Sequence, residues 1–190
     1  YFGANLCVGG TENIAQESVE HNSVAEAAGV FNTATNTITY AQNIYERMYP
    51  ASTTKILTAY LAIKYGNLSD VVTISDNAVN LASDSSKCGL QAGDQMTLQD
   101  LLYGLMLRSG NDAAIAIAEH ISGSVEAFVD LMNQEAAKLG ATGSHFMNPN
   151  GLWNKDHYTS PYDMALIGRA AMQNENFRTI ASTKYYDIGK

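Results

Sequence analysis

Two apolar helical patterns lie almost end to end between Thr97 and Ile121, and they constrain this chain more than any other feature. Leu98, Leu101, Leu102, Leu105 and Met106 recur at helical spacing from about Thr97 to Leu107. After "RSGN" a second pattern runs from about Asp112 to Ile121, through "AAIAIA" at Ala113–Ala118. Helices this apolar need cover on more than one side, so the chain has to build a packed helical block. "AAIAIA" falls far short of the roughly 20 apolar residues that span a bilayer and reads as a buried helix segment.

Three further helices are predicted around this pair. One follows Pro50: Ser52, Thr53 and Thr54 suit a helix start, Ile56, Leu57, Tyr60, Leu61 and Ile63 keep helical spacing, and Gly66 ends it. A second runs from Ser124 to Leu139 with Phe128, Leu131, Met132 and Ala136 on one face, and a third spans about Pro161 to Met172. Upstream, alternating runs flank "NTATN" and predict a β-hairpin, Val24–Phe31 with Thr37–Ala41. A lone hairpin is not stable, so it packs on the helices or pairs with further strands. "STKYYDIG" near the end looks strand-like, which suggests an unfinished sheet. Residues 1–22 are polar and patternless and read as a leader or linker, leaving 23–190 as one domain.

Composition excludes several functions. Among 190 residues, 11 basic side chains face 19 acidic ones, and a net charge of −8 without a Lys/Arg block repels nucleic acid and anionic membrane. With 46% hydrophobic residues the chain has enough material for a core. Cys7 and Cys88 lack metal-ligand spacing; a disulfide between them is one option and two ordinary thiols the other. His145 and His157 flank "FMNPNGLWNKD" without an evident third ligand, so they read as structural hydrogen-bonding groups rather than a metal site. Trp153 between them reads as a loop anchor, and the scattered tyrosines do not by spacing make a carbohydrate surface.

The chemistry concentrates in "YPASTTKILTAYLA". Residues i and i+3 of a helix share a face, so Lys55 Nζ is predicted to reach Ser52 Oγ. A serine hydroxyl becomes a nucleophile when a base takes its proton, and a lysine serves as that base if burial and the positive end of a helix depress its pKa. The ordinary alternative is that Ser52 is a helix cap. A second element is "LRSGNDA": Ser109 and Asn111, two residues apart on a turn between helices, can aim into one cleft, and can equally be caps. Ser75-Asp76-Asn77 matches a Ser-Asp-Asn pattern letter for letter but lies only 23 residues after Ser52, and reads as the end of an extended run capping a helix.

With Ser52, Lys55, Ser109 and Asn111 in place, the chain resembles the serine-type D-alanyl-D-alanine carboxypeptidases, the low-molecular-mass penicillin-binding proteins. "YPASTTKILTAYLA", "MTLQDLLYGLMLRSGNDAAIAIAEHISGS", "FVDLMNQEAAKLGATGSHFMNPNGL" and "HYTSPYDMALIGRAAM" carry the likeness, in family order, over roughly Ser23 to Met172. The resemblance implies an α/β (α+β) fold of the β-lactamase and penicillin-binding-protein type, helices packed on an antiparallel sheet plus a helical subdomain. It implies Ser52 as nucleophile on the bond between two terminal D-alanines of a peptidoglycan stem peptide, Lys55 as general base, Ser109 as proton relay, and Asn111 positioning Lys55 or substrate. Ser109 and Asn111 would also bind substrate. β-Lactam antibiotics would acylate Ser52, no cofactor or metal is implied, and the setting would be the bacterial cell envelope outside the cytoplasmic membrane.

The family's third motif, Lys-Thr-Gly on a strand after the helical block, does not occur in these residues. The expectation is therefore a transpeptidase-like catalytic domain over 23–190 that is C-terminally truncated, with any membrane-anchoring segment absent as well. Rivals are a related D,D-endopeptidase or transpeptidase using the same residues, a non-catalytic wall-associated relative, and a class A β-lactamase. The last needs a glutamate for deacylation, and Glu126 and Glu135 stand in the wrong local pattern.

Overall fold

The computed structural model describes residues 24–188, so Cys7 and the leader expected over 1–22 lie outside the described residues. The chain begins with hairpin β1 (Ala28–Asn32) and β2 (Thr37–Gln42), antiparallel with Val30 opposite Tyr40 and a register shift between Val30 and Phe31. A single 3-10 turn, Ala51–Thr54, leads into α1 (Lys55–Tyr65). A second antiparallel pair follows, β3 (Val71–Thr73) with β4 (Gln95–Thr97), enclosing the four-residue α2 (Asp76–Val79). Then come α3 (Leu98–Leu107), α4 (Asn111–Ser122), α5 (Val125–Lys138), α6 (Pro161–Met172) and α7 (Glu175–Ser182).

The first strand starts at Ala28, four residues later than its alternation predicts, because Val24 is fully exposed and has no face to bury. β3–β4 is a second sheet whose three-residue strands are too short to carry a period. The strand-like reading of "STKYYDIG" is wrong over the described residues: Ser182 closes α7, and 183–188 have no regular structure. Its aromatics serve a different end. The Tyr186 ring stacks on Tyr103 at 3.6 Å, and its hydroxyl donates to Asp100 Oδ1 at 2.7 Å.

The core is arranged about α1, whose apolar residues point both ways. Ala59 and Ala62 join one cluster with Leu98, Leu101, Leu102 and Leu105 of α3 and Ala113, Ala114 and Ile117 of α4. Leu57 and Leu61 join a second, with Phe128 and Met132 of α5, Phe146, and Leu166 and Ile167 of α6. A helix apolar all round is a central helix, and this one holds the molecule's middle. The hairpin attaches through Phe31, edge-on to Tyr162 of α6 at 6.0 Å.

The caps follow the local chemistry. Thr97 and Asp100 form a reciprocal capping box on α3, Ser124 caps α5, and Ser160 caps α6 ahead of Pro161. The Ser75-Asp76-Asn77 triplet behaves as its position suggests. Ser75 Oγ accepts the Ala78 N–H at 3.0 Å, capping α2, and donates to Glu119.

At the far end of α1 the carboxylate of Glu135 is buried on α5. Burial alone raises its pKa, but donors from Lys138 at 2.6 Å, from Lys64 and from the Tyr65 hydroxyl at 2.8 Å outweigh it and hold the group down at about 2. A folded pKa below the unfolded value means that the unfolded chain binds more protons in acid. The stabilisation is present above the ordinary value of 4.5 and is lost as pH falls through about 2. Denaturant unfolding at a series of pH values is expected to show this decline, and Glu135→Gln to flatten it.

Candidate active site

The site grows from the N-terminal end of α1. Pro50 opens the 3-10 turn and Thr54 precedes the helix proper; neither position has a side-chain cap. Ser52 is therefore not a cap: it sits exposed inside the turn. Lys55, three residues on, is only 3% exposed. Its Nζ lies 3.3 Å from Ser52 Oγ, 2.8 Å from Asn111 Oδ1 and 2.6 Å from the Asn150 carbonyl oxygen.

These three partners decide what the amine can do. As an ammonium it donates to all three. As a free amine it keeps two N–H donors, which the two carbonyl oxygens take, and its lone pair is left for the Ser52 hydroxyl proton. Burial pushes the Lys55 pKa down to about 8, with a smaller opposing influence from Cys88. The neutral amine is thus accessible near neutrality.

Asn111 opens α4, yet the cap position is Gly110, without a side-chain bond. The ordinary reading of "SGN" as a capping triplet fails. The Asn111 amide bridges instead, with Oδ1 toward Lys55 and Nδ2 donating to Ser85 Oγ at 2.7 Å. Ser109 has φ of +54°, an uncommon value for a side-chain-bearing residue, and shares a cleft of about 310 Å³ with Ser52, Thr53, Lys55, Ile56, Leu105 and Met106. A larger cleft of about 500 Å³ between Phe31 and Arg169 lies away from this chemistry. All four predicted residues therefore belong to one locus.

Sequence reasoning missed two supports. The first is Asp112, 1% exposed, whose carboxylate accepts the N–H groups of Cys88 (2.9 Å), Gly89 (3.0 Å), Leu90 (3.2 Å) and Ala113 (2.9 Å). It fastens the 85–90 loop to the start of α4, where Ser86 O accepts the Asn111 N–H and Ser85 steadies the amide. The second is "NPNG". Thr58 Oγ1 donates to Pro149 O at 2.6 Å, and Gly151 packs under the Ala51–Ser52 peptide, where a Cβ would meet Ala51 O at 1.8 Å. The signal for this loop was its density of turn residues; its working atom, a backbone oxygen, has no signature in the sequence.

His157 is 2% exposed and makes structural hydrogen bonds. Met147 N–H donates to Nδ1 at 3.0 Å, so Nε2 carries the proton and donates to Thr54 Oγ1 at 2.8 Å. Burial, and then His145, lower its pKa to about 4, which keeps the ring neutral. Trp153 does not anchor its loop: it is 75% exposed, and the anchoring falls to Lys55, Thr58 and His157. Among the described residues no cluster of His, Cys, Asp and Glu suits a metal ion.

The sequence pattern of the D-alanyl-D-alanine carboxypeptidases matches residues 12–188. The chain belongs to this family. It is 37% identical over 197 residues to a D-alanyl-D-alanine carboxypeptidase of Streptomyces sp. strain K15, covering 97% of this chain and 67% of the relative. It is 38% identical over 164 residues to D-alanyl-D-alanine carboxypeptidase DacF of Bacillus subtilis, covering 84% of this chain and 42% of the relative. Among solved structures, the Streptomyces K15 DD-transpeptidase superposes with a TM-score of 0.81 at 36% identity, over 88% of this chain and 68% of that one. A D-alanyl-D-alanine carboxypeptidase from Mycobacterium tuberculosis H37Rv superposes with a TM-score of 0.78 at 31% identity, over 84% and 60%. The mixed α/β penicillin-binding-protein fold is thereby established.

Two outcomes follow from the amine and its neighbours. Heteronuclear NMR of labelled Lys55 is expected to give a titration midpoint near 8, against the ordinary 10.5; a midpoint above 10 contradicts the buried arrangement. Gly151→Ala is expected to destabilise the fold by about 1–3 kcal/mol through its φ of +86° and the clash with Ala51 O, read by denaturant unfolding, and to shift the Lys55 midpoint.

Proposed function

We propose that the protein is a serine peptidase that removes the terminal D-alanine from peptidoglycan stem peptides through an acyl-enzyme. The observation that carries this reading is Lys55 Nζ beside Ser52 Oγ with its other two hydrogen bonds taken by carbonyl oxygens. The chain spans 42% of the Bacillus relative and 67% of the Streptomyces one, so their names support the activity without transferring it whole.

The steps follow from the groups present. Neutral Lys55 accepts the Ser52 hydroxyl proton as Oγ attacks the carbonyl carbon of the penultimate D-alanine. The tetrahedral intermediate collapses, and the terminal D-alanine leaves when its nitrogen takes a proton, relayed from Lys55 through Ser109. Asn111 holds Lys55 and contacts the substrate amide with Ser109. Water then attacks the ester, its proton passes to Lys55, and Ser52 is regenerated. An amine in place of water makes the same site a transpeptidase, a second reading favoured by the name of the Streptomyces structure.

A β-lactamase-like turnover finds no support. Glu135 is held by Lys64, Lys138 and Tyr65 at the opposite end of α1, about 20 Å of helix from Ser52, and Glu126 is exposed. β-Lactams are therefore proposed as slowly released acylating agents. The setting is proposed to be outside the cytoplasmic membrane, as for the family; no helix among the described residues is long and apolar enough to cross a bilayer.

The test is intact mass and peptide mapping after exposure to benzylpenicillin. One adduct on Ser52 is expected, with its formation rate rising as pH increases through about 8, because the free amine is the active form. Ser52→Ala is expected to form none, and Lys55→Ala to slow acylation by at least about 100-fold. An adduct on another residue, or a rate indifferent to Lys55, overturns the assignment.

A further inference from the structure

We propose that Tyr49 and Trp153 form a saccharide-binding platform beside Ser52, which receives the amino-sugar strand from which the stem peptide hangs; this rests on the peptidase reading above. The two residues are 104 positions apart in sequence, and the fold brings their rings to 6.4 Å between centroids at 49°. Both are turned outward: Tyr49 is 61% exposed and Trp153 75%, with Leu152 between the loop and solvent at 46%. Neither belongs to either core cluster. Large aromatics held side by side in water, off the core, mark a binding surface more than a structural one.

Their placement points to the occupant. Tyr49 precedes the nucleophile by three residues, so its Cα is at most about 11 Å from that of Ser52. Trp153 follows Gly151 by two, and Gly151 is packed directly under the Ala51–Ser52 peptide. The platform is thus tied from both sides to the backbone that carries Ser52. A pentapeptide stem has four residues between its sugar and the scissile bond, about 13 Å or slightly more when extended. With the scissile carbonyl at Ser52 Oγ, a stem of that length lets the sugar reach the neighbourhood of Tyr49, three residues from Ser52.

The chemistry agrees. The axial C–H face of a pyranose is apolar and slightly positive, and it stacks on the negative face of an aromatic ring while its hydroxyls stay in water. Two rings inclined to each other offer faces to two successive sugars. An adjoining cleft of about 310 Å³, lined by Arg47, Tyr49, Lys155, Asp156 and Tyr158, supplies donors and acceptors for hydroxyl and acetamido groups.

Trp153 is the single tryptophan of the sequence, so its fluorescence reports the platform alone. The probes are the β-1,4 tetramer of N-acetylglucosamine and a free pentapeptide ending in D-Ala-D-Ala, each added to the full chain. The tetramer is expected to shift the emission to shorter wavelength saturably, and the pentapeptide to leave it in place. Tyr49→Ala is expected to raise the tetramer dissociation constant about threefold to tenfold, with unchanged far-UV circular dichroism. Ser52→Ala is expected to leave tetramer binding unchanged. The proposal is overturned if millimolar tetramer leaves the emission unmoved, if the pentapeptide shifts it equally, or if the shift tracks protein concentration without ligand, which would make the patch a self-association surface. Benzylpenicillin contains no sugar, so the Ser52 adduct on the unsubstituted protein tests the peptidase reading separately. A tetramer that binds a protein unable to form the adduct overturns that reading and leaves the platform standing.

Discussion

Everything in the site depends on keeping one lysine amine dry. An amine at the N-terminal end of a buried helix meets two unfavourable conditions, low polarity and the positive pole of the helix. It is tolerated because three oxygen atoms surround it. Those oxygens come from Ser52, Asn111 and Asn150, so segments 56 and 95 residues away must converge on α1. Much of the architecture can be understood as the means of that convergence. α4 packs on α1 to deliver Asn111, and the 147–151 loop is bolted to Thr58 and Lys55 to deliver a carbonyl.

The supports are themselves backed by others. Asn111 is oriented by Ser85, the loop bearing Ser85 is fastened by the Asp112 carboxylate, and Asp112 is the residue next to Asn111. His157 does the same for the other wall, joining Met147 of the loop to Thr54 of the turn that carries Ser52. Backbone strain gathers in the same place. Ala51, next to Ser52, and Ser109, which lines the cleft, both have left-handed φ. Such residues persist where the surroundings over-determine them, as these hydrogen bonds do.

What was legible in the sequence was what repeats along it. α6 runs from Pro161 to Met172 as its pattern predicts, and α3 and α5 differ from their patterns by a residue or so, because each buries a continuous apolar face between recognisable caps. That Ser52, Lys55, Ser109 and Asn111 would converge on one cleft was legible because polar side chains at short, meaningful spacings mark the turns that carry them. α7 was not: "ENFRTIAS" is eight residues with only Phe177 and Ile180 buried, too brief to establish a period. β3 and β4 are shorter still. The C-terminal "KYYDIG" misled because aromatic-rich residues favour strands in isolation, whereas here Tyr186 finds a ring to stack on. The proximity of Tyr49 to Trp153 is a property of the folded chain alone.

The seam between Gly151 and Ala51 has a consequence for heredity. Every base change at the first two positions of a glycine codon either stops the chain or adds a Cβ, and at residue 151 a Cβ overlaps the carbonyl oxygen of Ala51, next to Ser52. Any amino-acid change at that position is therefore a change in where Ser52 stands. A lineage under pressure from a compound that leans on this seam cannot escape by altering residue 151 and keep Ser52 where it is; its escape routes run through side chains elsewhere on the exposed rim.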